Sequence, residues 1–106
     1  MEVDCQTVQA KRIANEDFLF VDCREPEEYE IVRIEGAQLL PMSQLQARVS
    51  ELEPHRTREI IIHCHHGGRS LQVAHWLRAQ GFDKALSMAG GIDRWAIEID
   101  DTLTRY

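Results

Sequence analysis

The chain has 106 residues, of which 43% are apolar and 28% charged, and its formal net charge at pH 7 is -6. That length and apolar content predict one domain, residues 1–106, built around a single hydrophobic core. The negative charge argues against nucleic acid and acidic membranes as partners, because both attract basic surfaces.

The first part of the chain alternates between strand and helix patterns. A weak strand signal lies near Val3, and apolar residues at three- and four-residue spacing predict a helix over residues 7–14 that stops at Asn15. The continuous apolar run at residues 18–21 predicts a buried strand. Pro26, followed by two glutamates, suits the first turn of a short helix, because proline loses no hydrogen bond there.

The alternation continues through the middle of the chain. Residues 37–40 give a weaker strand signal. Ser43 and Gln46 have the form of a capping box, which predicts a helix that starts after Ser43 and ends before Pro54. Three consecutive isoleucines at residues 60–62 predict a second central strand.

The clearest helix pattern covers residues 70–80 and ends at Gly81, and a weak strand signal follows at residues 85–87. Alternating strands and helices predict the α/β class, with a central, mostly parallel sheet and helices on both faces. Sites in such sheets form beyond the carboxyl ends of the strands. Cys64 lies at one of those ends.

The cysteines and the amino terminus indicate the compartment. Cys5, Cys23 and Cys64 form an odd set without CxxC spacing, so we expect reduced thiols. The amino-terminal residues lack the pattern of a signal peptide, and no apolar segment approaches the ~20 residues that span a bilayer. We therefore expect a cytoplasmic protein.

Residues 60–80 have the pattern of a strand, a loop with glycines and a helix, and Cys64 lies at the entrance of the loop. Such a loop directs backbone N–H groups and a helix amino terminus into one concavity, which favours an anion. A cysteine there should have its thiolate stabilised by those amides, by the helix dipole and by Arg69, and the thiolate is the nucleophile. Gly67 and Gly68 fit because a tightly curled loop often needs positive φ.

Other interpretations of these residues remain open at this point. A cysteine after a strand is commonly a small buried residue, and a glycine pair is commonly a turn. The local chemistry allows both sulfur and phosphoryl transfer. A metal site is disfavoured, because His63 and Cys64 are adjacent on a strand and point to opposite faces.

Four segments together resemble a known family. Residues 64–70, Cys64-x-x-Gly67-x-Arg69-Ser70, look like the active-site loop of single-domain rhodanese-like sulfurtransferases. Residues 21–29 are similar to the family's amino-terminal signature, and residues 34–37 to the segment after it. Residues 90–95 resemble its carboxyl-terminal Gly-Gly-hydrophobic-x-x-Trp motif. The resemblance covers nearly the whole chain and implies a rhodanese-like fold.

The resemblance also implies persulfide chemistry at Cys64. The cysteine would take a sulfane sulfur from a small donor such as thiosulfate and pass it to a thiol, to cyanide or to a protein sulfur acceptor. No metal and no organic cofactor is implied. The residues implied to form the substrate-binding loop are His65, His66, Gly67, Gly68, Arg69 and Ser70.

Departures from the family pattern concern the sulfur donor. Arg33 stands where a histidine is common, and His65 and His66 stand where thiosulfate-preferring members often carry a basic residue. Imidazoles become cationic in mildly acidic solution. We therefore expect thiosulfate turnover, relative to an uncharged donor, to rise between about pH 8 and about pH 6.

Two alternative functions are weighed against sulfur transfer. His63-Cys64 followed by Gly68-Arg69-Ser70 looks like a tyrosine phosphatase loop, and an arsenate reductase would be related chemistry. Those phosphatases have five residues between Cys and Arg, whereas this chain has four between Cys64 and Arg69. The other alternative is a catalytically weak binding or sulfur-carrier module, which the presence of Cys64 disfavours.

The remaining polar residues receive supporting roles. Asp22, Arg24 and Glu28 are expected to form an ion-pair network at a strand end, since charges at the edge of a core are usually paired.

Cys23 ends a strand that is expected to neighbour that of Cys64. An inert thiol is the favoured interpretation of Cys23, with a disulfide or a sulfur relay as alternatives.

Overall fold

The computed structural model of the protein describes residues 1–106. Its framework is one sheet of five parallel strands, in the order β1-β5-β4-β2-β3. The predicted α/β class is confirmed, and all five predicted strands are present. The strands are β1 (Glu2–Val3), β2 (Phe18–Asp22), β3 (Gln38–Leu39), β4 (Glu59–His63) and β5 (Ala85–Met88).

Helices cover both faces of the sheet, as predicted. None of them is long and apolar enough to cross a membrane. The helices are α1 (Cys5–Ile13), α2 (Pro26–Ile31), α3 (Leu45–Arg48), α4 (Gly68–Ala79) and α5 (Gly91–Glu98).

The sheet divides the hydrophobic core into two layers, where the sequence predicted one core. Side chains alternate along β4, so Ile60 and Ile62 pack in one layer and Ile61 in the other. The first layer contains Val73 of α4, and the second contains Trp95 of α5. Because β4 is central and covered on both faces, all three of its isoleucines are fully buried.

The pairing of β2 with β4 positions the site. These strands run in register from the Phe18–Glu59 pair to the Asp22–His63 pair. The residues that follow them, Cys23 and Cys64, therefore leave the sheet side by side. The backbone N–H of Cys23 extends the ladder by donating to the carbonyl of His63 at 3.0 Å.

The prediction of one continuous helix after Ser43 was wrong. The segment folds as a 3₁₀ turn (Met42–Gln44), the single α-helical turn α3 and a second 3₁₀ turn (Val49–His55). Ser43 does not cap a helix, because its hydroxyl donates to the carboxylate of Glu25 at 2.6 Å. Pro54 lies inside the last turn instead of following it.

Helix ends elsewhere differ from the predicted ends by a few residues. Helix α1 begins at Cys5, two residues before the predicted start, because Asp4 caps it by accepting the N–H of Thr7 at 2.7 Å. Its end agrees with the prediction, since Asn15 has a φ of 55°. Helix α4 begins at Gly68 and not at Ser70.

Candidate active site

The Cys64 loop connects β4 directly to α4 at the carboxyl edge of the sheet. Cys64 follows the last residue of β4, and α4 begins four residues later at Gly68. Gly67 caps the helix with a φ of 107°, so one of the two predicted positive-φ glycines is confirmed. Gly68 has ordinary helical geometry, and that half of the expectation was wrong.

The loop surrounds the sulfur of Cys64 with hydrogen-bond donors. The backbone N–H groups of Gly67 and Ser70 donate to Sγ at 3.0 and 3.3 Å, and the Ser70 hydroxyl lies 3.4 Å from it. That hydroxyl is in turn 2.7 Å from the hydroxyl of Ser87 on β5. The predicted cradle of amides around Cys64 is therefore present, and the neighbouring strand helps to orient it.

These donors favour the thiolate form of Cys64. The neighbouring thiol of Cys23 makes the largest contribution to lowering the pKa of Cys64, and the hydrogen bonds from Ser70 and Gly67 add to it. Burial opposes them, because a charge is less stable away from water. The donors outweigh burial, so the pKa of Cys64 lies well below the ordinary value of a thiol.

Cys23 lies next to Cys64 at the carboxyl edge of the sheet. Both cysteines are free, and they pack in the same layer of the core with 0% and 1% of their surface exposed. Hydrogen bonding to the Cys64 sulfur and burial raise the pKa of Cys23. The raised pKa favours the protonated form of Cys23, and its position directly after β2 places it beside Cys64.

Arg69 does not contact the sulfur, although the sequence predicted that it would stabilise the thiolate. Its guanidinium forms a bidentate pair with the carboxylate of Glu28, at 2.6 and 2.8 Å. The Arg69 hydrogen bonds lower the pKa of Glu28 to about 2, so this carboxylate stays ionised. Arg69 therefore acts on Cys64 only through space, as a charge that Glu28 largely balances.

The predicted ion-pair network of Asp22, Arg24 and Glu28 is confirmed for the first two residues. Asp22 and Arg24 are fully buried and bond at 2.7 Å. Arg24 also donates to the backbone carbonyls of Val32 at 2.7 Å and Glu28 at 3.3 Å. It therefore binds the middle of α2 and the residue that follows it, whereas the Glu28 carboxylate pairs with Arg69 and not with Arg24.

His65 and His66 lie at the rim of the loop with their rings stacked, 3.8 Å between centroids. Their neighbour Asp93, at the start of α5, was not anticipated from the sequence. One ligand atom from each of these three residues lies within 4.8 Å of the other two, a set that could hold a metal ion. The Asp93 carboxylate is already paired with Arg105 at 2.9 Å, so a guanidinium occupies this acceptor.

His63 is a packed strand residue, as predicted. Its ring is fully buried against Phe20, with 5.3 Å between ring centroids, on the opposite side of the strand from Cys64. Burial lowers the pKa of His63 and favours the neutral imidazole, although Asp22 lies 3.8 Å away. His63 therefore takes no part in the sulfur cradle.

The Gly90-Gly91 motif supports the first half of the loop. The backbone N–H of Ile92 donates to the carbonyl of Cys64 at 2.8 Å, and that of Asp93 donates to the carbonyl of His65 at 3.1 Å. Gly91 lies so close to these carbonyls that a Cβ at this position would be 2.5 Å from both oxygens. The amino terminus of α5 thus fixes the backbone that carries Cys64.

This chain is similar to known proteins over most of its length. A model of the rhodanese-like domain family matches residues 6–98. A sulfurtransferase from Allochromatium vinosum is 36% identical over 95 residues, which are 90% of this chain and 87% of that protein. A putative sulfur carrier protein, YrkF of Bacillus subtilis, is 33% identical over 94 residues, which are 89% of this chain and 50% of that protein.

The fold of this chain is also similar to that of a solved rhodanese-like protein. A rhodanese-like domain protein from Staphylococcus aureus superimposes with a TM-score of 0.83 at 25% identity, over 100% of this chain and 99% of that chain.

Proposed function

This chain belongs to the rhodanese-like domain family of sulfurtransferases and sulfur carriers, and we propose that it moves sulfane sulfur through a persulfide on Cys64. The observation that carries the proposal is the cradle around Sγ, with the N–H groups of Gly67 and Ser70 at 3.0 and 3.3 Å. Donors in this position stabilise a sulfur anion at rest and after transfer.

The first step loads the cysteine. The Cys64 thiolate attacks the outer sulfur of thiosulfate, a new S–S bond forms, and sulfite leaves with the electron pair of the old bond. The low pKa of Cys64 supplies the thiolate without a separate general base.

The second step unloads it. A thiophilic nucleophile, such as cyanide or a thiolate, attacks the outer sulfur of the persulfide and takes it. The Cys64 thiolate is then the leaving group and returns to the bonds from Gly67, Ser70 and Cys23. A stabilised thiolate is a good leaving group, so the same contacts assist both steps.

The position of Arg69 argues against the phosphatase alternative. A phosphoryl group in transfer needs positive charge on its oxygens. Arg69 has both of its terminal nitrogens bound to Glu28, and only four residues separate it from Cys64. The amide cradle is centred on one sulfur atom, which suits a persulfide.

Thiosulfate is proposed as a workable donor and not as the natural one. Asp93 and Arg105 lie close to the two rim histidines, so the charge at the rim depends on all four side chains. The ratio of thiosulfate turnover to turnover of an uncharged donor, measured from about pH 8 to about pH 6, tests the contribution of His65 and His66. A flat ratio contradicts a contribution of the two rim histidines to the choice of donor.

Mass spectrometry of the intact protein tests the proposal. After incubation with thiosulfate, the parent chain should gain one sulfur atom, and dithiothreitol should remove it. Cys64→Ser should gain none, whereas the matched variant Cys5→Ser should still load, because Cys5 packs in the other layer of the core from Cys64. Sulfur on Cys64→Ser, or no adduct on the parent with several donors, would overturn the proposal.

A sulfur-carrier role is the second candidate, and the resemblance to YrkF favours it. The two functions differ in turnover. A carrier loads once and waits for its partner, whereas a sulfurtransferase consumes many equivalents of thiosulfate when cyanide is present. Measuring thiocyanate per mole of protein separates them.

A further inference from the structure

Cys64 is almost closed off from solvent, although it is the proposed nucleophile. Only 1% of its surface is exposed, and donor and acceptor must both reach its sulfur. A reagent that reaches this sulfur must therefore displace some part of the protein. In the segment after α5, residues 100–106, Arg105 and Tyr106 contact the rim of the loop through Asp93 and His65, and the chemistry described above does not explain them.

Tyr106 crosses the rim of the loop. Its ring stacks on His65 with centroids 3.8 Å apart and planes 7° apart. Its hydroxyl donates to the carboxylate of Glu28 at 2.7 Å and accepts from Arg24 at 3.0 Å. The same carboxylate binds Arg69. Tyr106 therefore contacts His65, the residue after Cys64. Through Glu28 it is also linked to Arg69 in the first turn of α4.

The rest of the segment directs Tyr106 to this position. The backbone folds back at Asp100, whose carboxylate accepts the N–H of Thr102 at 3.1 Å. Leu103 packs against the second core layer, and Arg105 pairs with Asp93 next to His66. The segment is thus held by a short apolar anchor and by polar contacts at the rim.

These contacts can break locally while the core of the protein stays folded. Tyr106 itself is 37% exposed, and the Arg105 side chain is 57% exposed. Exposed ion pairs are weak, and segments with few buried apolar contacts open far more readily than the core. Tyr106 can therefore leave the rim while the sheet stays intact, at the cost of its hydrogen bonds with Glu28 and Arg24.

We propose that residues 100–106 form a lid over the Cys64 cradle, with Tyr106 as its latch, and that this lid determines which acceptors reach the persulfide by their size. The role as acceptor selector rests on the proposed sulfur transfer, whereas the role as lid does not. Small nucleophiles pass the rim after a slight displacement. Bulky thiols, such as those of a protein or a peptide, need Tyr106 to leave His65 and Glu28.

Alkylation of Cys64 tests the lid without any sulfur chemistry. The rates for a small reagent, iodoacetamide, and for a bulky maleimide are measured by peptide mass on the full chain. In Tyr106→Ala the maleimide rate at Cys64 should rise by about tenfold or more, because a stacked ring and a hydrogen bond to a charged group are both lost. The iodoacetamide rate should rise less.

Two variants separate the parts of the latch. Tyr106→Phe keeps the ring on His65 and loses the hydroxyl, so its maleimide rate should lie between those of the parent and Tyr106→Ala. Tyr29→Ala is the matched control, because its ring lies against Arg33, with the guanidinium carbon 4.6 Å from the ring centroid. Its Cys64 rates should equal those of the parent.

The buried cysteines report on general loosening. Cys5 and Cys23 are 1% and 0% exposed and should stay unmodified in every variant. An unchanged ratio of maleimide to iodoacetamide rates in Tyr106→Ala, or equal gains at all three cysteines, would overturn the lid.

A second measurement tests the selection of acceptors. Persulfidated parent and Tyr106→Ala are mixed with cyanide and with glutathione, and the gain in Tyr106→Ala should be larger for glutathione. Equal gains would remove the selector role and leave the lid. A chain that never loads sulfur would overturn the proposed function, while the alkylation result would still decide on the lid.

Discussion

Gly91 makes the sharpest prediction, because it is where α5 touches the backbone of the Cys64 loop. A Cβ at this position would lie 2.5 Å from the carbonyl oxygens of Cys64 and His65 and 2.6 Å from the carbonyl carbon of His65. All of these are backbone atoms, so no side chain can rotate away. Gly91 also has a φ of 61°, in the region that favours glycine.

The cost of Gly91→Ala has two parts. The left-handed conformation costs a residue with a Cβ about 1 kcal/mol. To restore ordinary contact distances the loop and α5 must separate by about 1 Å, and overpacking of this kind costs about 1–3 kcal/mol. We therefore expect the free energy of unfolding to fall by about 2–4 kcal/mol. A misplacement of about 1 Å at the reacting centre lowers a rate by about 10²-fold.

Gly68, the first residue of α4, provides a matched control. A Cβ on Gly68 would meet nothing within 4 Å, and its φ is not positive, so Gly68→Ala should stabilise the chain by about 0.5–1 kcal/mol. Urea unfolding measures both variants, and thiocyanate production measures the activity of Gly91→Ala. A Gly91→Ala variant with the unfolding midpoint and turnover of the parent would refute the close contact described above.

Three further predictions concern charge at the site. Ser70→Ala should raise the pKa of Cys64 by about one to two pH units, because a hydrogen bond to a charged group contributes about 1.5–3 kcal/mol, and titration of the thiolate absorbance measures it. Cys23→Ala should raise it as well, while Cys23→Ser should retain a donor and most of the effect; titration curves identical to that of the parent would contradict this role. The pKa of Glu28 is lowered to about 2 from 4.5, mainly by Arg69, so its stabilisation is complete above pH 4.5 and disappears as the pH falls towards 2. The unfolding free energy of the parent should therefore fall more steeply than that of Glu28→Gln in this window, and parallel curves would speak against the pair.

The sequence predicts the cradle well because its parts are close together in the chain. Cys64 directly follows a strand that contains three isoleucines, and the donors Gly67 and Ser70 follow within six residues. A strand, a glycine turn and a helix start then have few ways to fold. The position of Cys23 follows from the same logic, because two parallel strands in register bring the residues after them together.

Sequence patterns did not predict the contacts between residues that are distant in the chain. Glu28 and Arg69 are 41 residues apart, and Glu28 and Tyr106 are 78 apart. No local motif shows which of several carboxylates an arginine will choose. The Ser43 prediction failed for the same reason, since a capping pattern does not reveal that Glu25, 18 residues earlier, competes for the hydroxyl.

The pairing of Arg69 changes how the loop must hold an anion. A free guanidinium would attract any anionic donor over several ångströms, but Glu28 cancels most of that charge. What remains is a set of amides and the amino terminus of α4, whose effect is confined to hydrogen-bond range. Such a site discriminates little between donors in solution and strongly favours one sulfur anion at the position it surrounds. The cradle is therefore better suited to holding the thiolate of Cys64, and the persulfide proposed for it, than to selecting thiosulfate, and we expect selection to depend on the rim, where His65, His66 and Tyr106 lie.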